Sequence, residues 1–173
     1  MNSVDFCKVW FRKLQLSDDL HFFKCDKEDD NGCNDFIHKD NEAKQYQKER
    51  HGITYLFFYE ETMIGYVTLA MSSISEKRLG KGAESVYLKF YPCLLIGRLA
   101  VDNNWRGLDI GTYLADWSTG LALEMSEEIG CRYVILETKE NKVNFYNKCG
   151  FQRGALLDGD KLVWMYKKIA IEE

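Results

Sequence analysis

Proline is nearly absent, with Pro92 the single instance in 173 residues, so no Pro-rich linker divides the chain. Internal repeats and low-complexity tracts are missing as well. No stretch approaches about 18 consecutive apolar residues. The opening MNSVDFCKVWFRKLQL has neither an uninterrupted apolar segment nor a small-residue cleavage site. These absences predict a soluble, unanchored cytoplasmic protein with no membrane partner. Positive charge is in deficit, 23 Lys and Arg against 27 Asp and Glu, a formal net charge of −4. A global field that would gather nucleic acid is therefore excluded, though a local basic patch is not. The six cysteines form no C-x-x-C pair, which argues against a zinc site and for free thiols in a reducing compartment; no metal is expected. The three histidines, His21, His38 and His51, all fall in the N-terminal third and read as surface residues rather than ligands or catalysts.

What is present suits one core. The chain is 46% hydrophobic and 14% aromatic, enough for a single domain over residues 1–173. An acidic turn, DKEDDNGCN, covers residues 26–34. Residues 35–50, polar with scattered Phe36, Ile37, Ala43 and Tyr46, predict a surface helix. Two β-rich runs around Glu60-Glu61-Thr62 predict a hairpin over residues 53–74, with Gly65 marking a bulge or a close backbone approach. Residues 76–90 read as a loop and a short strand, and CLLIGRLAV after Pro92 as a buried strand. From Ile110, apolar residues recur at Leu114, Trp117, Leu121, Met125 and Ile129, one face of a helix that Gly130 would stop. CRYVILET then reads as a strand, KVNFYNKCG as a short helix and KLVWMYKKI as a last strand; this order implies parallel pairing through a right-handed crossover.

The segment with chemical content is LLIGRLAVDNNWRGLDIGTYL, where a buried strand runs into Arg106-Gly107-Leu108-Asp109-Ile110-Gly111 and directly into the long helix. The first turn of a helix presents backbone N–H groups without intrahelical partners, and the macrodipole adds about half a positive charge there. An acidic protein can therefore hold a pyrophosphate with few charged side chains. Gly107 and Gly111 let backbone approach phosphate oxygens, and Arg106 supplies a planar charged donor at the rim. This physics specifies a phosphate, not which phosphate, and no Gly-Lys-Ser/Thr follows as a Walker motif would require.

Arg106 to Gly111 resembles the R/Q-x-x-G-x-G/A signature of the GNAT acetyltransferases, set after a strand ending Arg98-Leu99-Ala100-Val101-Asp102. Asn144-Phe145-Tyr146-Asn147-Lys148-Cys149-Gly150-Phe151 resembles the same family's F/L-Y-x-K-x-G-F element. Phe23, Cys25, Asp35-Phe36-Ile37, Ala43 and Gly65-Tyr66-Val67-Thr68-Leu69-Ala70 resemble a bacterial and archaeal branch that includes the acetyltransferase toxins of toxin-antitoxin pairs. The resemblance implies an α/β GNAT fold, a mixed central β-sheet flanked by helices with splayed strands holding acetyl-CoA. It also implies an N-acetyltransferase whose primary amine attacks the thioester directly in a ternary complex. Tyr146 then sits where a tyrosine protonates the departing thiolate; its alternative is a packing role. Leu99, Ala100 and Val101 would supply backbone to the thioester carbonyl and the pantetheine arm, and Arg106, Gly107, Leu108, Asp109, Ile110 and Gly111 the pyrophosphate cradle. Asn141 reads as a helix N-cap or a cofactor contact, with capping favoured because Lys139 occupies the family's usual asparagine position. One departure stands out: Asp109 replaces the family's central glycine.

A general base is not identified; Glu60, Glu84 and Glu137 are candidates only because amine deprotonation needs an acceptor, and water can serve. The acceptor is a small-molecule, peptide or aminoacyl-tRNA amine, the last matching a toxin-like enzyme. Lys77, Arg78, Lys81, Lys89, Lys139, Lys142 and Lys148 are the local supply of phosphate contacts for such an RNA. A non-catalytic acyl-CoA sensor on the same fold is a further alternative, against which Tyr146 argues. A homodimer and an antitoxin partner are left open.

Overall fold

A stretch the pattern reading leaves out opens the sheet. In the computed structural model, which describes residues 3–27, 31–82 and 88–170, β1 (Val9–Lys13) pairs antiparallel with β2 (Ile53–Tyr59), Val9 opposite Tyr59 and Lys13 opposite Tyr55. Cross-strand aromatics hold this edge: the Trp10 and Phe58 rings stack at 4.4 Å, and Trp10 Nε1 donates to Glu60 O at 2.7 Å.

β3 (Thr62–Ser75) follows β2 through a two-residue turn in which Glu60 takes φ +54°, and then come β4 (Phe90–Val101), β5 (Tyr133–Thr138), β6 (Gln152–Arg153) and β7 (Val163–Lys168). Together they form a seven-stranded sheet in the order β1-β2-β3-β4-β5-β7-β6, flanked by helices. β4 and β5 are parallel, from Cys93–Tyr133 to Leu95–Ile135, joined through α4 (Ile110–Glu128). The parallel pairing expected of the last strand is corrected: β5 and β7 are antiparallel, Tyr133 opposite Lys168. The reason is β6, two residues paired antiparallel with β7, which turns the chain back after α5 (Val143–Lys148).

Other boundaries also shift. The helix expected over residues 35–50 is two, α1 (Cys33–His38) and α2 (Glu42–Lys48), because Asp40 and Asn41 adopt φ of 52° and 56°, which no helix tolerates. Residues 76–82 hold α3 (Glu76–Leu79) and a 3₁₀ turn; Pro92 lies inside β4 near its start. In α4 the fully buried side chains are Ile110, Leu114, Ala115, Ser118 and Ala122, whereas Ile129 lies past its end and is exposed. The buried stripe is thus smaller-grained than the large apolar residues suggest, since small residues at close spacing let a helix pack tightly.

The chain divides into two compact units, residues 1–69 with 97–115, and residues 70–96 with 116–173. In the first, Phe23, Phe36, Ile37, Leu56, Tyr66 and Ala100 form the centre of the core, and Tyr66 donates its buried hydroxyl to Cys33 O at 2.6 Å. In the second, Tyr91, Tyr133 and Tyr166 meet edge to face at 5.6 and 5.8 Å, and Ile74, Leu79, Cys93 and Ile135 fill between them. All six cysteines are free thiols; only Cys7 is exposed, and burial pushes the Cys93 thiol up to about 12. His21 and His51 are exposed beside Asp19 and Glu49, but His38 is half-buried with Nε2 2.7 Å from Phe23 O, a correction to its surface placement. Among the described residues no helix is long and apolar enough to cross a membrane.

Gly65 answers both of its expected roles. It sits opposite Phe57 at a register shift, and a Cβ built on it would come 2.8 Å from Ala100 O and 2.9 Å from Leu114 Cδ1. Gly65→Ala should therefore destabilise the protein by about 1 to 3 kcal/mol through overpacking, read as a lower midpoint in a thermal melt.

Candidate functional site

The junction from β4 to α4 lies wholly in the first unit and is fixed by one carboxylate. Asp102, 4% exposed, accepts the Lys24 N–H and the Asn104 N–H, both at 2.9 Å, while its own N–H donates to Ile64 O at 2.9 Å. Asn103 N–H donates to Lys24 O at 2.7 Å, so the segment around residue 24 and the end of β4 are laced together. A 3₁₀ turn, Asn103–Trp105, carries the chain onward, with Trp105 buried.

Beyond it, Gly107 takes φ +75° with nothing within 4 Å of where a Cβ would stand, and Asp109 takes φ +59°. The left-handed conformation at residue 109 is one that glycine takes freely, and aspartate, among the few side chains that enter this region readily, occupies it here. Asp109 is exposed, and its carbonyl accepts the N–H of Tyr113 at 3.0 Å. The N–H groups of residues 110–112 therefore precede that bond, at the positive end of a 19-residue helix. Open backbone at residue 107 and first-turn amides suit a pyrophosphate, so the donor set fits acetyl-CoA. Ile110 points into the core at 1% exposure, and Leu108 and Gly111 are half-buried, so their part here is backbone. Arg106 is half-buried, its Nη2 3.4 Å from Cys25 O; it braces the N-terminal segment as well as bordering the turn.

Leu99, Ala100 and Val101 form the end of β4. The β4–β5 ladder stops at Leu95–Ile135, although β4 runs on to Val101. Ala100 is in the core, Leu99 and Val101 are half-buried, and Leu99 O lies 3.9 Å from the Cys33 thiol. Arg98, missed as a site residue by the sequence reading, carries a buried Nε with no hydrogen-bond partner. Leaving such a donor unmade costs about 1 to 3 kcal/mol. The second unit holds an orphan too, the buried Thr138 Oγ1 at the end of β5. Neither atom has a signal in the sequence pattern.

Tyr146 and Asn141 belong to the second unit. Tyr146 is half-buried on α5, its ring 4.9 Å from Phe145 and 5.8 Å from Phe151. Gly150, at φ +83°, closes this helix, the Phe151 N–H donating to Tyr146 O at 3.0 Å. Asn141 is not the N-cap: it lies inside a 3₁₀ turn, Glu140–Lys142, that runs straight into α5, where the cap Lys142 makes no side-chain bond. The Val143 N–H donates to Glu140 O within this turn.

Of the three carboxylates considered as bases, burial, the larger cause, raises Glu137 above the usual range despite Arg78 nearby. Glu60 is a turn residue and Glu84 lies outside the described residues. Arg78 is withdrawn from the basic set by Asp160, which it pairs with, and by Trp164, 5.3 Å from its guanidinium. The Lys81 side chain lies outside the described residues, while Lys77, Lys89, Lys139 and Lys148 are exposed. A cavity of about 410 Å³ in the first unit, walled by Phe22, Phe23, Phe58, Met63 and Trp105, includes none of the predicted site residues.

A family model described as the acetyltransferase (GNAT) family matches residues 19–151. The chain belongs to the GNAT acetyltransferase family. It is 26% identical over 143 residues to glucosamine 6-phosphate N-acetyltransferase 1 of Dictyostelium discoideum, covering 80% of this chain and 88% of that one. Among solved structures it resembles a bacterial toxin with a TM-score of 0.79, 15% identity and coverage of 93% and 90%. It also resembles AtaT complexed with acetyl-methionyl-tRNAfMet, with a TM-score of 0.74, 21% identity and coverage of 92% and 94%. A mutant AtaT toxin bound to acetyl-CoA and the C-terminus of the antitoxin AtaR gives a TM-score of 0.70 at 22% identity, with 93% of each chain covered. At these identities the structural likenesses establish the GNAT fold, and the family model establishes an acetyltransferase.

Within this GNAT chain the substitution at Asp109 has a measurable consequence. Replacing it with glycine removes an exposed negative charge beside the helix N-terminus, while positive φ becomes costless. Asp109→Gly should tighten CoA binding about two- to fivefold at low salt, an advantage that shrinks as ionic strength rises, with stability within about 1 kcal/mol of wild type. Calorimetric titration with CoA at two salt concentrations, beside a thermal melt, measures both.

Proposed function

We propose that this chain transfers the acetyl group of acetyl-CoA to a primary amine by direct attack in a ternary complex, with residues 1–173 acting as one N-acetyltransferase domain. The observation that carries the reading is the junction of residues 101–112, where β4 delivers a left-handed turn to the amides of a long helix. In this reading the pyrophosphate lies on the backbone of residues 107–111, bordered by Arg106, and backbone of Leu99 to Val101 receives the pantetheine arm. A backbone N–H there stabilises the thioester oxygen as it gains charge.

The amine lone pair attacks the thioester carbonyl carbon. The C–N bond forms and the C–S bond breaks, the leaving thiolate takes a proton from the Tyr146 hydroxyl, and the surplus ammonium proton passes to water. A phenol is suited to this exchange because it donates to a developing thiolate and recovers its proton afterwards. Asn141 borders the same cofactor. The likeness to AtaT with acetyl-methionyl-tRNAfMet supports a second acceptor class, the amino group of an aminoacyl-tRNA, and the exposed Lys77, Lys139 and Lys148 would serve its phosphates.

Two measurements test the reading. Titration of the full chain with acetyl-CoA should show one-site binding; heat-silent mixing and an unshifted melt together would exclude the cradle. Tyr146→Phe keeps the ring contacts, so its melt and acetyl-CoA affinity should match wild type while kcat at saturating acetyl-CoA falls about 10²- to 10⁴-fold. Near wild-type kcat would remove Tyr146 from the chemistry. The acceptor panel for these kinetics spans polyamines, amino sugars, peptides and charged tRNA.

A further inference from the structure

Arg98 is the one charged residue of β4. Its side chain shares a strand face with Ala100, since alternate residues of a strand point the same way, and its guanidinium lies 5.1 Å over the Phe36 ring of α1. Nη1 donates to the neighbouring Gly97 O at 2.8 Å, and Nε is buried with no partner. Among the described residues no carboxylate pairs with it; the ion pairs of the first unit include Arg12 with Asp18, bidentate at 2.7 and 2.9 Å. Tyr66, the buried phenol on the same side, gives its hydroxyl proton to Cys33 O and so contributes no anion.

A half-buried guanidinium with an unmade donor, in a chain of net charge −4, is a recognition element for an anionic oxygen group. Its place in the chain says whose. Arg98 immediately precedes Leu99, the start of the backbone assigned above to the thioester, and points to the opposite face from Leu99 and Val101. We infer that Arg98 is a specificity-determining residue that holds a carboxylate or phosphate on the acceptor, so that the favoured amines are small molecules carrying an anionic group. The inference rests on the acetyl-transfer reading for the position of the thioester. The rival role for Arg98 is structural, a cation laid on Phe36.

Matched acceptors separate these. Glucosamine 6-phosphate against glucosamine isolates a phosphate, and serine against ethanolamine isolates a carboxylate. For wild type the anionic member of at least one pair should show the higher kcat/KM, and the pair that does so identifies the anion. Arg98→Gln should reduce that anionic-to-neutral ratio about 10- to 100-fold, chiefly through KM, as expected for loss of a charge-assisted hydrogen bond. Arg98→Lys should recover part of it, because the charge remains and the fork is lost. A ratio near one in both pairs for wild type, or an Arg98→Gln loss equal for both members of each pair together with a lower melting midpoint, would overturn the inference. Calorimetry of the same four amines keeps the two readings apart. If no amine is acetylated yet an anionic amine binds wild type and not Arg98→Gln, the site stands and the transfer reading falls. If none is acetylated and neither anionic amine binds wild type, both fall.

Discussion

The buried carboxylate of Asp102 is the constraint on which the β4–α4 junction depends. Two backbone donors, from Lys24 and Asn104, converge on its two oxygens, and the peptide beside it is tied to β3 through Ile64 O. A carboxylate taken out of water is tolerated only when hydrogen bonds replace its hydration, and here they come from main chain, which cannot swing away. The turn that follows is held in a conformation with two positive φ angles, at Gly107 and Asp109, before the helix begins. A loop left to itself would not keep that geometry; anchored at Asp102, it presents helix amides in a fixed place.

This anchoring reconciles the composition with the chemistry. An acidic chain proposed to hold a polyanion cannot rely on a cationic surface, and the proposed cradle does not ask it to, because the partial charges there are those of the backbone. Side-chain cations are accordingly spent elsewhere. Arg12 is committed to Asp18, Arg78 to Asp160 and Trp164, and Arg153 to Glu140. On β4, Arg98 keeps a buried Nε with no hydrogen-bond partner.

The strand, turn and helix around Arg106 to Gly111 are legible because glycine and a strand-to-helix change of period are local signals. The short helix that carries Tyr146 is legible because it ends in a glycine that takes positive φ at 150, again local. Asn141 lies inside a 3₁₀ turn that moves the cap position of α5 to Lys142, and such a turn carries no signature in the sequence. Arg98 and Thr138 were invisible because a missing partner is a property of packed neighbours, not of the residue.

The sequence by itself determined the element types, the hairpin of β2 and β3, the strand, turn and helix of the β4–α4 junction, and the family, since each rests on periodicity or on short motifs whose spacing the backbone dictates. Only the tertiary structure decided the rest. It added β1, whose five residues are too few to show a period, and it split one expected helix at Asp40 and Asn41. It turned β7 antiparallel to β5 through the two residues of β6, and it selected the small residues of α4 for burial over its large ones. Each of these outcomes is set by contacts between residues far apart in the chain, where close packing and the pairing of buried polar groups overrule local preference.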